Sequence, residues 1–221
     1  MKKYLLIFIG LIVFNYSFSQ EAFEGVVKYK SELKGKNPMM EGMMPDSFIF
    51  IFKNKDVRMV IMGGIVSAMM GDIISKGDSN ISFMLDNNDK IAYRYDPYKY
   101  EKSITLDIQE TGKIQEILKM KCTLYTVNYS TKDGYVVTNV WVTNDLSVSI
   151  PANNPLGRNF VYKGIEGFPM LIESKISYQQ AEFEMIIRAV NIIQRPIPDD
   201  EFLIPPDYKI IPLEAPSDLG F

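Results

Sequence analysis

Methionine is the residue type whose spacing first suggests chemistry, because eight of the 13 methionines fall between residues 39 and 70. The pattern Met-Met-x-x-Met-Met could bind Cu(I), since a thioether sulfur is a soft ligand. Flexible, polarizable thioether side chains could equally line an adaptable apolar surface. No histidine or cysteine lies nearby to complete a copper site, so we expect no metal and no cofactor. We interpret these residues as the lining or flap of a hydrophobic ligand site: Met39, Met40, Met43, Met44, Met59, Met62, Met69 and Met70.

A second group of residues that could do chemistry is the acidic run Asp199-Asp200-Glu201, with Asp207 close behind it. Paired carboxylates could transfer protons or bind Ca²⁺. The run lies in a tail between Pro198 and Pro205, without the glycine-hinged loop that calcium sites use. The pattern therefore predicts a solvated turn.

Tyrosines recur at short spacing in the segment from residue 93 to 100, at Tyr93, Tyr95, Tyr98 and Tyr100. Planar rings with a polar edge could stack on sugars. The same pattern is also typical of an exposed sheet face or the rim of an apolar groove. The spacing alone leaves both interpretations open.

The amino-acid composition excludes several common types of catalytic and metal-binding site. The chain has no histidine, which excludes the Ser-His-Asp triad, the Cys-His pair and imidazole-bound zinc. Cys122 is the only cysteine, so no internal disulfide can form. Because it alternates with polar residues in step with Met120 and Leu124, we expect its thiol to be buried. We expect no catalytic residues and no enzymatic activity.

The first 19 residues have the features of a secretory signal peptide. Lys2 and Lys3 precede an apolar run of 11 residues from Tyr4 to Phe14, and Ser17 and Ser19 place small residues before a cut ahead of Gln20. The run is about half of the ~20 residues that span a bilayer, so no transmembrane anchor should remain after cleavage. The exported chain keeps 22 Lys and Arg against 27 Asp and Glu. This excess of acidic residues does not favour binding to nucleic acid. We expect a periplasmic or secreted protein.

Alternation of apolar and polar residues dominates the rest of the chain and predicts a mainly antiparallel β fold. We expect one β-rich domain over residues 20–221 with an extended C-terminal tail. The predicted strands are Val27–Leu33, Phe48–Lys53, Val57–Met62, Ile81–Asp86, Ile91–Tyr95, Leu124–Tyr129, Tyr135–Thr143, Phe168–Tyr178 and Glu182–Gln194.

Three segments interrupt this rhythm. Met62–Ser75 carries three glycines among apolar residues and could be a loop, a short helix or part of a strand. Lys113–Lys119 has helical spacing in a context that favours a strand or one helical turn. Pro151–Gly167 contains proline and glycine breaks that predict a crossover with a brief helix.

Several short motifs resemble an uncharacterised family of exported Gram-negative bacterial domains that is similar to the GLPGLI-type proteins. The motifs are FEGVV at 23–27, ILKMKC at 117–122, VWVTNDL at 140–146, GFPMLIE at 167–173 and FLIPPDYK at 202–209. Phe168 and Met170 depart from the GLPGLI string, and Met120 stands where the family has glycine. The resemblance implies the fold of the outer-membrane lipoprotein carriers, which is a single curved antiparallel sheet that forms an open half-barrel with a few short helical segments.

The resemblance and the methionine pattern together predict a non-enzymatic binding protein for a hydrophobic or lipidated ligand at the cell envelope. Residues 59–70 would line the mouth of the half-barrel, and Met39 to Met44 would form its flap. The partner would be a lipid or a lipidated protein. The alternative is a structural or interaction module that docks an envelope protein and has no ligand cavity.

Overall fold

The structure is a computed structural model of the 221-residue chain. It describes residues 22–35, 42, 44–79, 81–95, 105–131, 134–148, 150, 162, 164–178 and 181–213. The predicted signal peptide lies outside these residues, so its cleavage stays a prediction. No helix within the described residues combines the length and apolarity needed to cross a membrane.

Strands dominate the described residues. They are β1 (Gly25–Gly35), β2 (Ser47–Lys53), β3 (Asp56–Met62), β4 (Ile73–Lys76), β5 (Ile81–Asp86), β6 (Ile91–Tyr95), β7 (Asp107–Ile117), β8 (Met120–Thr131), β9 (Gly134–Thr143), β10 (Phe168–Tyr178), β11 (Ala181–Gln194) and β12 (Lys209–Pro212). A short helix, α1 (Gly64–Met69), follows β3, and a 3-10 helix (Asp199–Phe202) precedes β12.

All 12 strands belong to one sheet, in the order β12-β6-β5-β4-β3-β2-β1-β11-β10-β9-β8-β7. Each hydrogen-bonded pair is antiparallel except β12 with β6, which is parallel. The terminal strands β12 and β7 do not pair with each other, so the sheet is open. The predicted class, a single antiparallel open sheet with few helical segments, is confirmed.

The predicted hairpins form where polar residues interrupt the alternation. Lys53 pairs with Asp56 across a two-residue turn, in which Asn54 has a φ of 54°. Asparagine tolerates this left-handed conformation better than most residues, which explains its place in the turn. The hairpin between β8 and β9 also forms, with Thr131 paired to Gly134.

The ambiguous segments resolve in different ways. Met62–Ser75 holds the end of β3, α1 and the start of β4. Lys113–Lys119 is the end of β7 and a tight turn in which Leu118 and Lys119 have φ values of 50° and 66°. Most of the predicted crossover, residues 151–161 and 163, lies outside the described residues.

One face of the sheet, here called the inner face, carries the main hydrophobic core. Alternate residues of each strand point to it, so Phe48, Phe50 and Phe52 of β2 are all buried there. Tyr29 is fully buried beside them, and its hydroxyl donates a hydrogen bond to the carbonyl of Pro169 at 2.6 Å. This bond connects β1 to β10 over the intervening β11, which the curvature of the sheet permits.

The opposite, outer face of β1–β6 has a second core. Val26, Ile51 and Ile74 pack there against Ile197 and Phe202. The last two residues belong to a segment, residues 195–208, that we call the strap. It crosses the outer face and leads into β12, so β2 is buried on both of its faces.

Ion pairs attach the strap to the sheet at the acidic turn, in which Asp199 and Asp200 are nevertheless exposed to solvent. Lys53 pairs with Asp199 at 2.6 Å, and Arg58 pairs with Glu201 at 3.0 Å. The Lys76 ammonium lies over the Phe202 ring, 5.6 Å from its centroid. The acidic run is therefore an attachment of the chain to its own sheet. The alternation of apolar and polar residues could not predict this attachment, because its ion pairs join residues more than 120 positions apart.

Cys122 is buried, as its alternation with Met120 and Leu124 predicts. Burial raises the pKa of its thiol from the model-peptide value of 9.0 to about 11. The thiolate, which is the reactive form, is therefore scarce at neutral pH.

Candidate functional site

The structure separates the methionines that were expected to line one site. Met59 and Met70 are buried in the core and present no surface to a ligand in this conformation. Met62, at the end of β3, is 47% exposed, and Met44 is half-buried. Met69 lies in α1, and Met39, Met40 and Met43 lie outside the described residues. A role for the group in ligand binding stays a prediction.

The tyrosine stripe is also divided. Tyr93 is half-buried and packs against the main core, whereas Tyr95 is buried. Tyr98 and Tyr100 lie outside the described residues. The two described tyrosines belong to the inner face of the sheet, so they form neither an exposed sheet face nor an exposed sugar platform.

A different set of apolar residues meets at one end of the sheet, which we call the rim. At the rim β1, β3, β8 and β10 end and β2, β9 and β11 begin. Val136 of β9 pairs with Tyr129 of β8 on one side and with Ile176 of β10 on the other, and Ile176 pairs with Phe183 of β11. All four side chains are half-buried. We call Tyr129, Val136, Ile176 and Phe183 the apolar row.

Two open clefts lie at the rim, lined mostly by residues that alternate with the apolar row and so belong to the opposite face of the sheet. One, of about 530 Å³, is lined in part by Ile176 and Phe183. The other, of about 690 Å³, is lined in part by Tyr129 and Val136. Tyr135, whose side chain is 51% exposed, contributes to both. Each volume falls within the ~300–1,000 Å³ that is typical of small-molecule sites.

A hydroxyl cluster lies next to the apolar row, one step closer to the core. Thr138 and Ser174 are paired across β9 and β10, and their hydroxyl oxygens are 3.0 Å apart. Both side chains are buried. Tyr162 hydrogen-bonds to Thr138, and burial is the main cause that raises the pKa of Tyr162 to about 12. The cluster (Thr138, Tyr162 and Ser174) therefore offers neutral hydroxyl groups beside an apolar surface.

This arrangement suits binding rather than proton transfer. The row and the hydroxyl cluster contain no carboxylate, ammonium or thiol. Their tyrosines are protonated at neutral pH, as tyrosines ordinarily are, and burial raises the pKa of both Tyr129 and Tyr162 further. No group of histidine, cysteine or acidic side chains able to hold a metal ion occurs among the described residues. The chemistry available is contact with an apolar molecule and hydrogen bonding to a neutral polar group on it.

The apolar row was not predicted from the sequence, although the sequence contains a signal for it. Val136, Thr138 and Val140 lie on one face of β9, and Ile172, Ser174 and Ile176 lie on one face of β10. In both strands, an inward-facing residue with a hydroxyl group lies between two apolar residues. Only the register shows that the two hydroxyls are directly opposite each other, and the register depends on the hairpin turns.

A comparison with protein families decides the family. Residues 23–208 match the family described as a domain of unknown function, DUF4412. The chain belongs to the DUF4412 family. The match covers both the sheet and the strap, and it confirms the expectation of an uncharacterised domain family.

Structural and sequence comparisons add two findings about this DUF4412 domain. It is similar to the crystal structure of the Mycobacterium tuberculosis lipoprotein LppX, with 10% sequence identity and a TM-score of 0.33. The similarity covers 79% of this chain and 89% of that chain. None of the curated proteins matches the sequence.

Proposed function

We propose that this DUF4412 domain is a non-enzymatic, exported binding protein for a hydrophobic or lipidated ligand at the cell envelope. The observation that carries the proposal is the apolar row, in which four half-buried side chains stand in register on four adjacent strands. The signal-peptide pattern of residues 1–19 supports export to the periplasm or the exterior.

The energetics favour an acyl chain as the part of the ligand that contacts the row. Each CH₂ group removed from water contributes about 0.8 kcal/mol, so a segment of several carbons outweighs a modest ordering cost. Met62, exposed at the rim end of β3, supplies further apolar surface at the same end of the sheet.

The hydroxyl cluster supports a ligand that carries an ester or amide group beside its acyl chain. Thr138 and Ser174 satisfy each other in the structure, and each hydroxyl keeps additional acceptor capacity. A carbonyl that accepts a hydrogen bond from Tyr162 would avoid the cost of burying an unpaired polar group. Lipids and lipidated polypeptides contain such groups next to their acyl chains.

The test is displacement of a fluorescent palmitate analogue from the purified protein, together with native mass spectrometry of the protein as isolated. We expect saturable binding that unlabelled palmitate reverses. Val136→Asp should weaken it at least tenfold, because a carboxylate then stands within the apolar row. The matched control is Ile210→Asp on β12, where the native side chain is 53% exposed and distant from the row.

Two results would count against lipid binding. One is the absence of both a saturable fluorescence change and a bound mass. The other is equal weakening by Val136→Asp and Ile210→Asp, which would indicate nonspecific adsorption. Circular dichroism of both variants shows whether the sheet is preserved.

A second candidate function, docking of an envelope protein, rests on β7, which pairs with only one strand, β8, among the described residues. This strand ends the sheet, and ten of its 11 residues are at least partly exposed. An extended segment of another protein could pair with it. A bulge between Glu110 and Ile114 interrupts the edge, which makes this candidate the weaker of the two. Loss of partner capture on Gln109→Pro, with ligand binding retained, would favour it.

A further inference from the structure

Trp141, the only tryptophan of the chain, lies in a cleft that the proposed lipid site does not use. It is on β9, five residues from Val136, so the alternation of the strand places the two side chains on opposite faces. Trp141 pairs with Leu171 of β10, and Leu171 pairs with Arg188 of β11. These three residues form one row across β9, β10 and β11, in which Trp141 is half-buried and packs, like Leu171, with the main core.

The cleft over this row has a volume of about 440 Å³, and we call it the indole cleft. Glu173 lines it beside Leu171, and Gln115 and Glu116 of β7 line it from the other side. The end of β7 therefore lies near β10 and β11 at this cleft, where Leu171 is only 3% exposed. The exposed lining of the cleft is mainly polar, with Trp141 as its aromatic residue.

The charged groups of the indole cleft are not neutralised by one another. Among the described residues, Arg188, Glu173 and Glu116 form no ion pair within 4.0 Å and no side-chain hydrogen bond. Arg188 is exposed and Glu173 is half-buried. Their hydrogen-bonding capacity is therefore directed to solvent or to a bound molecule.

The composition of the cleft narrows the class of that molecule. One guanidinium and two carboxylates give the cleft a net charge of −1, which disfavours an anionic ligand. An aliphatic ligand would leave three charged groups desolvated without partners. A neutral polyhydroxylated molecule avoids these costs, since each of its hydroxyls both donates and accepts, and the cleft offers guanidinium and amide donors beside carboxylate acceptors. The indole ring supplies a flat apolar face for the C–H side of a sugar ring.

We propose that the indole cleft binds a neutral oligosaccharide, with Trp141 stacking on a sugar ring and Arg188, Glu173 and Gln115 bonding its hydroxyls. Adjacent strands are ~4.8 Å apart, so Trp141 and Arg188 are separated by roughly 10 Å across β10. This span fits one to two sugar rings. Because the indole cleft shares no lining residue with the apolar row or with the two clefts at the rim, the inference is independent of the lipid-binding proposal.

The single tryptophan makes the test specific, because its fluorescence reports this cleft alone. The purified protein is titrated with maltotriose, cellotriose and chitotriose, and with trigalacturonate as an anionic comparison. We expect a saturable change in Trp141 emission with at least one neutral trisaccharide and at least tenfold weaker binding of trigalacturonate. Arg188→Gln and Glu173→Gln should each weaken binding of the neutral sugar about tenfold, and calorimetry with Trp141→Ala should show none.

The matched control is Glu184→Gln, which removes a carboxylate from β11 outside the indole cleft and should leave sugar binding unchanged. Three outcomes overturn the proposal. They are a flat titration with all three neutral trisaccharides, equal affinity for trigalacturonate, and binding that Arg188→Gln and Glu173→Gln leave intact.

Discussion

Phe52 and Phe168 meet edge to face, with ring centroids 5.8 Å apart and planes inclined by 81°, although β1 and β11 separate their strands in the sheet. In a flat sheet, β2 and β10 would be roughly 14 Å apart, since each strand spacing is ~4.8 Å. The ring contact is thus direct evidence that the sheet curves around its inner face. Phe168 also contacts Tyr29, so one ring joins the two halves of the core.

We predict that Phe168→Ala destabilises the protein by about 3–5 kcal/mol, as is usual for removal of a fully packed aromatic side chain. Phe168 is 1% exposed, so little relaxation can fill the space left behind. The measurement is equilibrium unfolding in urea. Tyr135→Ala is the matched control, because its ring is 51% exposed and its loss should change stability by less than about 1 kcal/mol. Similar losses for both variants would contradict a core in which Phe168 is central.

The attachment of the strap predicts a pH dependence that Asp199 carries in part. A hydrogen bond from Lys53, reinforced by its charge, lowers the pKa of Asp199. A carboxyl whose pKa is lower in the folded protein stabilises it above the unfolded-state pKa of about 3.9, and this contribution is lost as pH falls through the folded-state pKa. Asp199 is 89% exposed, so solvent and salt screen the effect and keep it small.

We therefore expect Asp199→Asn to lower stability slightly near pH 7 and to have no effect at pH values below the folded-state pKa. The measurement is urea unfolding of both proteins from pH 7 down into this acid range. Asp78→Asn is a suitable comparison, because it removes an exposed ion pair with Lys55 that does not involve the strap. A difference between Asp199→Asn and the native protein that grows on acidification would have the wrong sign.

The hairpins, the open sheet and the buried thiol could be predicted from sequence because each depends on local alternation or on a turn of two to four residues. The strap could not, because Lys53 and Asp199 are brought together by packing of Phe202 on the outer face. The burial of each methionine depends on the position that it takes in its strand. Met59 and Met62 are close in sequence, yet alternation along β3 buries one and exposes the other.

The buried thiol of Cys122 predicts a loss of stability at alkaline pH. Burial raises its pKa to about 11, so the unfolded chain loses the thiol proton first as pH rises. Stability contributed by the neutral thiol is complete below the unfolded-state value of 9.0 and is lost between 9.0 and about 11. Because tyrosines titrate in the same range, the measurement compares the native protein with Cys122→Ala.

We expect the stability of the native protein to fall more steeply than that of Cys122→Ala across this range. The native thiol should also react with a water-soluble disulfide reagent at least a hundredfold more slowly than in urea, since it is 0% exposed. Equal alkaline slopes, or rapid labelling of the folded protein, would show that the thiol is accessible.

Two buried serines predict opposite effects of the same substitution. The Ser31 hydroxyl is buried and has no hydrogen-bond partner within the described structure, whereas the Ser174 hydroxyl is 3.0 Å from that of Thr138. An unpaired buried hydroxyl costs about 1–3 kcal/mol, so Ser31→Ala should stabilise the protein by about 1 kcal/mol. Ser174→Ala should destabilise it by about 1–2 kcal/mol, because it removes a partner of Thr138. Urea unfolding of the two variants measures both signs, and destabilisation by Ser31→Ala would mean that its hydroxyl has a partner after all.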